Sequence, residues 1–125
     1  MDDCQLFLLD DYADIYLLVE HALSDICSLT CCATCREARA LLTTRSFDIL
    51  MLDLRLPDGS GIDMLHYTRR QATSRNVNTP AIAMTAQVLP KQEERLLNHG
   101  FDAYLPKPFS KTEIRTVVHE QMAMS

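Results

Sequence analysis

Short, almost wholly apolar runs punctuate this chain of 125 residues: QLFLL at 5–9, ILML at 49–52, AIAMT at 81–85 and AYL at 103–105. Runs of this length without polar alternation fit strands buried on both faces, the condition of a parallel sheet. Their ends are charged or polar. Asp10 and Asp11 close the first run, Asp53 the second and Thr85 the third, and Lys107 follows the last.

Amphipathic segments separate the runs. Ile15, Leu18, Val19, Ala22 and Leu23 recur at helical spacing after the first strand. A weaker strand at 28–32 precedes Thr34-Cys35-Arg36-Glu37, which has the S/T-x-x-E form of a capping box ahead of Ala38, Leu41 and Leu42. After Asp53, a Pro/Gly turn at 56–61 leads into a helix carrying Ile62 and Leu65. A polar loop is expected at 72–79. Pro90 suits the first turn of a fourth helix and Gly100 its C-terminal cap, with Leu96 and Leu97 as that helix's main core residues. Ser110-Lys111-Thr112-Glu113 forms a second capping box before Ile114, Val117, Val118 and Met122.

Five strands alternating with five helices imply right-handed crossovers and a doubly wound α/β fold, with ligands bound beyond the carboxyl ends of the strands. Asp10, Asp11, Asp53, Thr85 and Lys107 therefore converge. Three carboxylates gathered there repel by about 4 kcal/mol per pair at 4 Å and an effective dielectric near 20. Such a cluster must raise its pKa values or hold a cation, and Mg2+ is the hard, oxygen-seeking ion that suits it.

Composition narrows the function classes. With 47% hydrophobic residues the chain is sized for one compact domain, spanning residues 1–125, that buries roughly two thirds of its unfolded surface. A net charge of −5 without clustered Lys and Arg argues against direct nucleic-acid contact. The N-terminus MDDCQLFLLDD is acidic where a secretory signal is basic, and its apolar run is too short for a membrane span, so a cytoplasmic location is expected. Five cysteines are then expected as thiols.

The constellation resembles the receiver domain of two-component response regulators over essentially the whole chain. It rests on Asp10-Asp11 after strand one, Asp53 after strand three with Pro57 and Gly61 at the family's offsets, Thr85-Ala86 after strand four, Tyr104 in strand five, and Lys107-Pro108-Phe109. The resemblance implies a flavodoxin-like sheet of order 2-1-3-4-5 and a cis Lys107-Pro108 peptide. It makes Asp53 the phosphoacceptor, attacking a partner's phosphohistidine. Mg2+ would sit on Asp10, Asp11, Asp53 and the backbone carbonyl of Arg55, with Asp10 acting largely through water. Lys107, the Thr85 hydroxyl and the Ala86 N–H would take the phosphoryl oxygens. Thr85 and Tyr104 would switch the surface of helix 4, strand 5 and helix 5, and the side chains of Arg55 and Gln87 would tune the phosphoryl lifetime. The implied partners are a sensor histidine kinase or histidine phosphotransfer protein, a downstream effector or output domain, and a second copy joined on phosphorylation. Self-catalysed phosphoryl transfer and slow autodephosphorylation are the expected activities. AIAMTA at 81–86 resembles the receivers of hybrid kinases.

Taken singly, these residues have plainer roles: acidic pairs after strands cap helices, Thr85 forms strand, Lys107 is a solvated charge and Tyr104 a core aromatic. Their conjunction outweighs those roles. The C-x-x-C of Cys32 and Cys35, flanked by Cys27 and Cys31, reads as buried small hydrophobes, because Cys31 and Cys32 point to opposite faces of a strand and cannot both face a zinc ion. His21, His66, His99 and His119 read as surface residues on helices, so a phosphoryl donor would arrive in trans. Two rivals remain. A haloacid-dehalogenase-type hydrolase also forms an aspartyl phosphate, but wants an acid two residues after the nucleophile, where this chain has Arg55. A pseudo-receiver would be an unphosphorylated interaction module, usually lacking one of the acidic or lysine positions.

Overall fold

The computed structural model describes residues 4–70, 75–87 and 89–124. Five parallel strands form one sheet in the order β2-β1-β3-β4-β5. They are β1 (Cys4–Leu9), β2 (Cys27–Cys32), β3 (Ile49–Asp53), β4 (Ala81–Thr85) and β5 (Ala103–Pro106). Helices α1 (Ala13–Leu23), α2 (Cys35–Thr44), α3 (Gly61–Arg70), α4 (Gln92–Asn98) and α5 (Lys111–Met124) alternate with them. The strand order expected from the resemblance is the one observed.

Alternation along the strands divides the core in two. Leu6, Leu8, Ile49, Met51, Ile82 and Met84 face Val19, Ala22 and Leu23 of α1 and Ile114, Val117 and Val118 of α5. Phe7, Leu9, Leu50, Leu52, Ala81 and Ala83 face Ala38 and Leu42 of α2, Met64 and Leu65 of α3, and Leu96 of α4. Every residue of β3 and β4 is buried. This is why those strands read as unbroken apolar runs, whereas edge strand β2 exposes Ser28 and Cys31.

One of the two expected capping boxes forms completely and the other, at Thr34, forms by half. Ser110 Oγ accepts the Glu113 N–H at 3.1 Å and Glu113 Oε1 accepts the Ser110 N–H at 2.9 Å, a fully reciprocal box. Thr34 Oγ1 likewise accepts the Glu37 N–H at 3.2 Å. Helix α2 has a further cap that the sequence did not disclose: Asp58, from the turn after β3, accepts the N–H groups of Cys35 and Arg36 at 2.7 and 3.0 Å. Those donors hold the Asp58 carboxyl below the usual range.

The fourth helix departs from expectation at its start. Pro90 lies outside it; Lys91 takes a left-handed conformation, φ 58°, and the helix begins at Gln92. Its C-terminus is as expected, because Gly100 at φ 106° lets the Phe101 N–H reach Leu96 O at 3.1 Å, closing the end in a Schellman turn. Leu96 is buried but Leu97 is 46% exposed, and Gln92 occupies interior space instead.

The expected polar loop at 72–79 falls partly outside the described residues, but its second half is structural. Asn76 is fully buried; its amide donates to Leu42 O and Arg45 O at 2.8 and 2.7 Å, and its Oδ1 accepts the Phe47 N–H at 2.8 Å. One side chain thus satisfies the end of α2 and the entry to β3.

Candidate functional site

The carboxyl ends of β1, β3, β4 and β5 surround a cavity of about 740 Å3. Asp10, Asp11, Asp53, Arg55, Thr85, Ala86, Gln87 and Lys107 all line it. Tyr104 does not. It packs half-buried against the core beneath α2, α3 and α4; in register its neighbour is Ala83, two residues before Thr85, so Tyr104 and Thr85 share a face of the sheet. Tyr12, Ile15 and Pro108 complete the lining. Tyr12 and Pro108 adjoin named residues, and Ile15 lies four residues after Asp11, one turn into α1.

Asp53 ends β3 at the cavity floor, 6% exposed. Its Oδ1 accepts the Arg55 N–H at 3.3 Å, and Oδ2 lies 3.3 Å from Lys107 Nζ. Lys107 also donates to Asp10 Oδ2 at 2.8 Å, and its own N–H is held by Thr85 O at 2.7 Å, so the lysine is fixed through backbone as well as charge. Asp10, similarly buried, accepts the Tyr12 N–H at 2.9 Å through Oδ1 and so shapes the entry to α1. Asp11 is exposed at the rim.

Gly61 explains how α3 can start so close to this floor. A Cβ there would collide with the carbonyl oxygen of Asp53. The glycine at this offset from Asp53 is thus a requirement of close backbone approach.

One oxygen from each of Asp10, Asp11 and Asp53 lies within 4.8 Å of the others. The Asp53 carboxyl is shifted in the direction expected of a crowded acidic site, with burial as the larger cause. Burial, reinforced by the charge of Asp10, pushes the Asp53 carboxyl above its ordinary pKa, against the pull of Lys107 and the Arg55 N–H. Burial also works against the charge of Lys107. Its hydrogen bond to Asp10 and the fields of both aspartates prevail, and its pKa is raised. An all-oxygen donor set of this charge fits a hard divalent ion such as Mg2+.

Elsewhere the sequence reading divides. The Lys107-Pro108 peptide is cis. Cys4, Cys27, Cys32 and Cys35 are buried thiols, but Cys31, read from the sequence as a buried small hydrophobe, is exposed, because β2 is an edge strand whose faces are only partly covered. Burial pushes the Cys35 and Cys32 thiols up to about 11 and about 12, away from nucleophilic chemistry. His21 and His119 are exposed, but His66 and His99 are half-buried and bonded to each other, contrary to their reading as plain surface residues.

Sequence comparison decides the family. The profile described as Response regulator receiver domain matches residues 6–119. The chain belongs to the response regulator receiver domain family. It is 34% identical to the response regulator protein PilR of Pseudomonas aeruginosa over 112 residues, which is 89% of this chain and 24% of PilR. The receiver domain thus spans about a quarter of that relative's length. The signal receiver domain of a LuxO repressor protein from Vibrio parahaemolyticus superposes with a TM-score of 0.88 at 22% identity, covering 98% of this chain and 92% of that one. The receiver domain of sensor histidine kinase PA1611 from Pseudomonas aeruginosa PAO1, solved with a magnesium ion coordinated in its active site cleft, superposes at 0.83 with 26% identity, covering 98% of this chain and 99% of that one. The protein is therefore a receiver domain of two-component signal transduction. Among the described residues no helix is long and apolar enough to cross a membrane.

Proposed function

We propose that Asp53 accepts a phosphoryl group from the phosphohistidine of a sensor histidine kinase or histidine phosphotransfer protein. The observation that carries this reading is the floor of the cavity. A buried carboxylate sits there beside two others and 3.3 Å from a lysine held in place by Asp10 and Thr85. An Asp53 oxygen attacks phosphorus, the P–N bond breaks, and the imidazole leaves with the electron pair and takes up a proton. The product is an acyl phosphate on Asp53. A carboxylate is a weak nucleophile, so the step depends on neutralising the charge that gathers on the phosphoryl oxygens.

Asp10, Asp11, Asp53 and the Arg55 carbonyl would hold Mg2+, and the ion would supply part of that neutralisation. The magnesium in the PA1611 receiver supports this assignment. Lys107 moves from pairing carboxylates to pairing a phosphoryl oxygen, and the Ala86 N–H takes another. Thr85 is committed to Gln87 in the resting geometry, its Oγ1 accepting the Gln87 N–H at 3.1 Å and its hydroxyl donating to Gln87 O at 3.5 Å. Breaking those bonds frees the hydroxyl for the phosphoryl group and opens space beside Tyr104 on the same face. The surface of α4, β5 and α5 then changes, which is the signal to a downstream effector, an output domain or a second copy of the chain. Two packings that differ by a few kcal/mol suffice for such a switch. Arg55 and Gln87, exposed at the mouth, are placed to regulate water access and so the rate of autodephosphorylation. A dehalogenase-type hydrolase is disfavoured because Arg55 puts a guanidinium where that chemistry needs an acid.

Beryllofluoride titration tests the reading. Backbone signals around Asp53, Thr85 and Tyr104 should shift with beryllofluoride and Mg2+ together and remain still when either is omitted. An unresponsive spectrum would leave a pseudo-receiver as the better description.

A further inference from the structure

Helices α3 and α4 are joined by a histidine pair that takes no part in lining the strand-end cavity. Nδ1 of His99, the residue that caps α4, lies 3.3 Å from Nε2 of His66 in α3. The ring centroids are 5.3 Å apart and the planes are tilted by 40°. Neutral imidazoles at this distance share one N–H···N bond, leaving each ring a nitrogen aimed at the other.

The same separation is the one a metal requires. Two imidazole nitrogens bound to one ion at about 2.0–2.1 Å and a tetrahedral angle stand about 3.3–3.4 Å apart. We propose that His66 and His99 form a two-histidine chelate for a borderline divalent ion such as Zn2+ or Ni2+, clasping α3 to the C-terminal end of α4. Small rotations of the two rings would turn the nitrogens from each other toward a common apex, replacing the shared proton with the ion.

The surroundings define what kind of site this is. Both rings are half-buried, and each is anchored on a helical backbone; the His99 N–H bonds to Arg95 O at 3.2 Å and Leu96 O at 3.1 Å. His99 also borders a groove of about 290 Å3 shared with Lys91, Glu94, Arg95 and Asn98, which gives solvent a path to the metal. Among the described residues no third His, Cys, Asp or Glu joins the pair at chelating distance, so water fills the remaining positions. With two nitrogen ligands and cations at Lys91 and Arg95 alongside, the site is an exchangeable one and not a structural zinc centre. Imidazole selects Zn2+, Ni2+ and Cu2+ over Mg2+, so it does not compete with the carboxylate cluster for the same ion. Because α4 belongs to the proposed output surface, an ion that fixes its C-terminal end would change the cost of moving it, and activation would change ion affinity by the same factor.

The experiment is a Zn2+ titration of the whole chain, reduced and saturated with Mg2+, followed through the histidine ring signals. One equivalent should shift His66 and His99 together and leave His21 and His119 in place. His66→Gln and His99→Gln should each weaken Zn2+ binding at least tenfold, whereas Cys31→Ser and His119→Gln should not. Rings of His66 and His99 that do not move in the parent chain would overturn the proposal, a result that needs no variant to fold. So would a folded His66→Gln or His99→Gln protein that binds Zn2+ as tightly as the parent. The beryllofluoride response of Asp53 is measured separately, so failure of this site leaves the phosphoacceptor reading standing, and the reverse.

Discussion

Asp53→Asn should stabilise the metal-free protein, although it removes the residue on which the proposed chemistry depends. At an effective dielectric of 20, two carboxylate repulsions across no more than 4.8 Å cost at least about 3.5 kcal/mol each, while the attraction across 3.3 Å to Lys107 returns about 5 kcal/mol. The charge on Asp53 is thus unfavourable by at least roughly 2 kcal/mol before its desolvation is added. Asparagine keeps an oxygen for the Arg55 N–H and sheds the charge. With a urea slope of about 1–3 kcal/mol/M, the midpoint in EDTA should rise by roughly 1 M. Saturating Mg2+ should narrow that gap, because ion binding to the native state stabilises the parent through all three carboxylates. The pH dependence has a definite sign. A carboxyl whose folded pKa is raised destabilises the native state above that pKa, and the penalty vanishes as pH falls below its unfolded value. The advantage of Asp53→Asn should therefore shrink on acidification. Urea curves with and without EDTA at neutral and mildly acid pH measure all of this. A variant no more stable than the parent in EDTA would refute the charge-strain argument.

Lys107→Ala removes the cation from a buried pair and should cost about 3–5 kcal/mol without Mg2+; it should also weaken the response of Tyr104 to beryllofluoride and Mg2+, read from side-chain signals. Asn76→Ala strands the carbonyls of Leu42 and Arg45 and the N–H of Phe47, so urea unfolding should show a loss of at least about 3 kcal/mol. Its Mg2+ affinity should be unchanged, since the network lies outside the cavity. Arg55→Ala keeps the backbone carbonyl proposed to hold Mg2+ and should alter affinity by less than the ~1.4 kcal/mol that makes tenfold. The phosphoryl lifetime of Arg55→Ala should change more, as timed by phosphate release beside a Mg2+ titration.

The parts of this molecule that were legible in the sequence are those in which a local rule and a global rule agree. Asp10, Asp53 and Lys107 close apolar runs, and parallel strands bring run ends together, so their meeting needed no long-range guess. The capping boxes at Thr34 and Ser110 are likewise local. What escaped were pairings between distant segments. Asp58 looked like a turn residue because its two donors belong to a helix more than twenty positions earlier. Asn76 looked like loop polarity, yet its partners lie across the α2–β3 connection. His66 and His99 meet only because α3 and α4 are neighbours, which helical spacing within either one does not encode. The start of α4 was misread for a different reason. Pro90 is compatible with a first helical turn, but Lys91 at positive φ delays the helix, a conformation that residue type rarely announces.

The central claim is that Asp53 carries the phosphoryl group, and intact-mass measurement after incubation with acetyl phosphate and Mg2+ tests it most directly. The parent should gain a single phosphoryl adduct that EDTA prevents and that decays on standing, while Asp53→Asn should gain none. A full adduct on Asp53→Asn would place the chemistry on another residue and contradict the account.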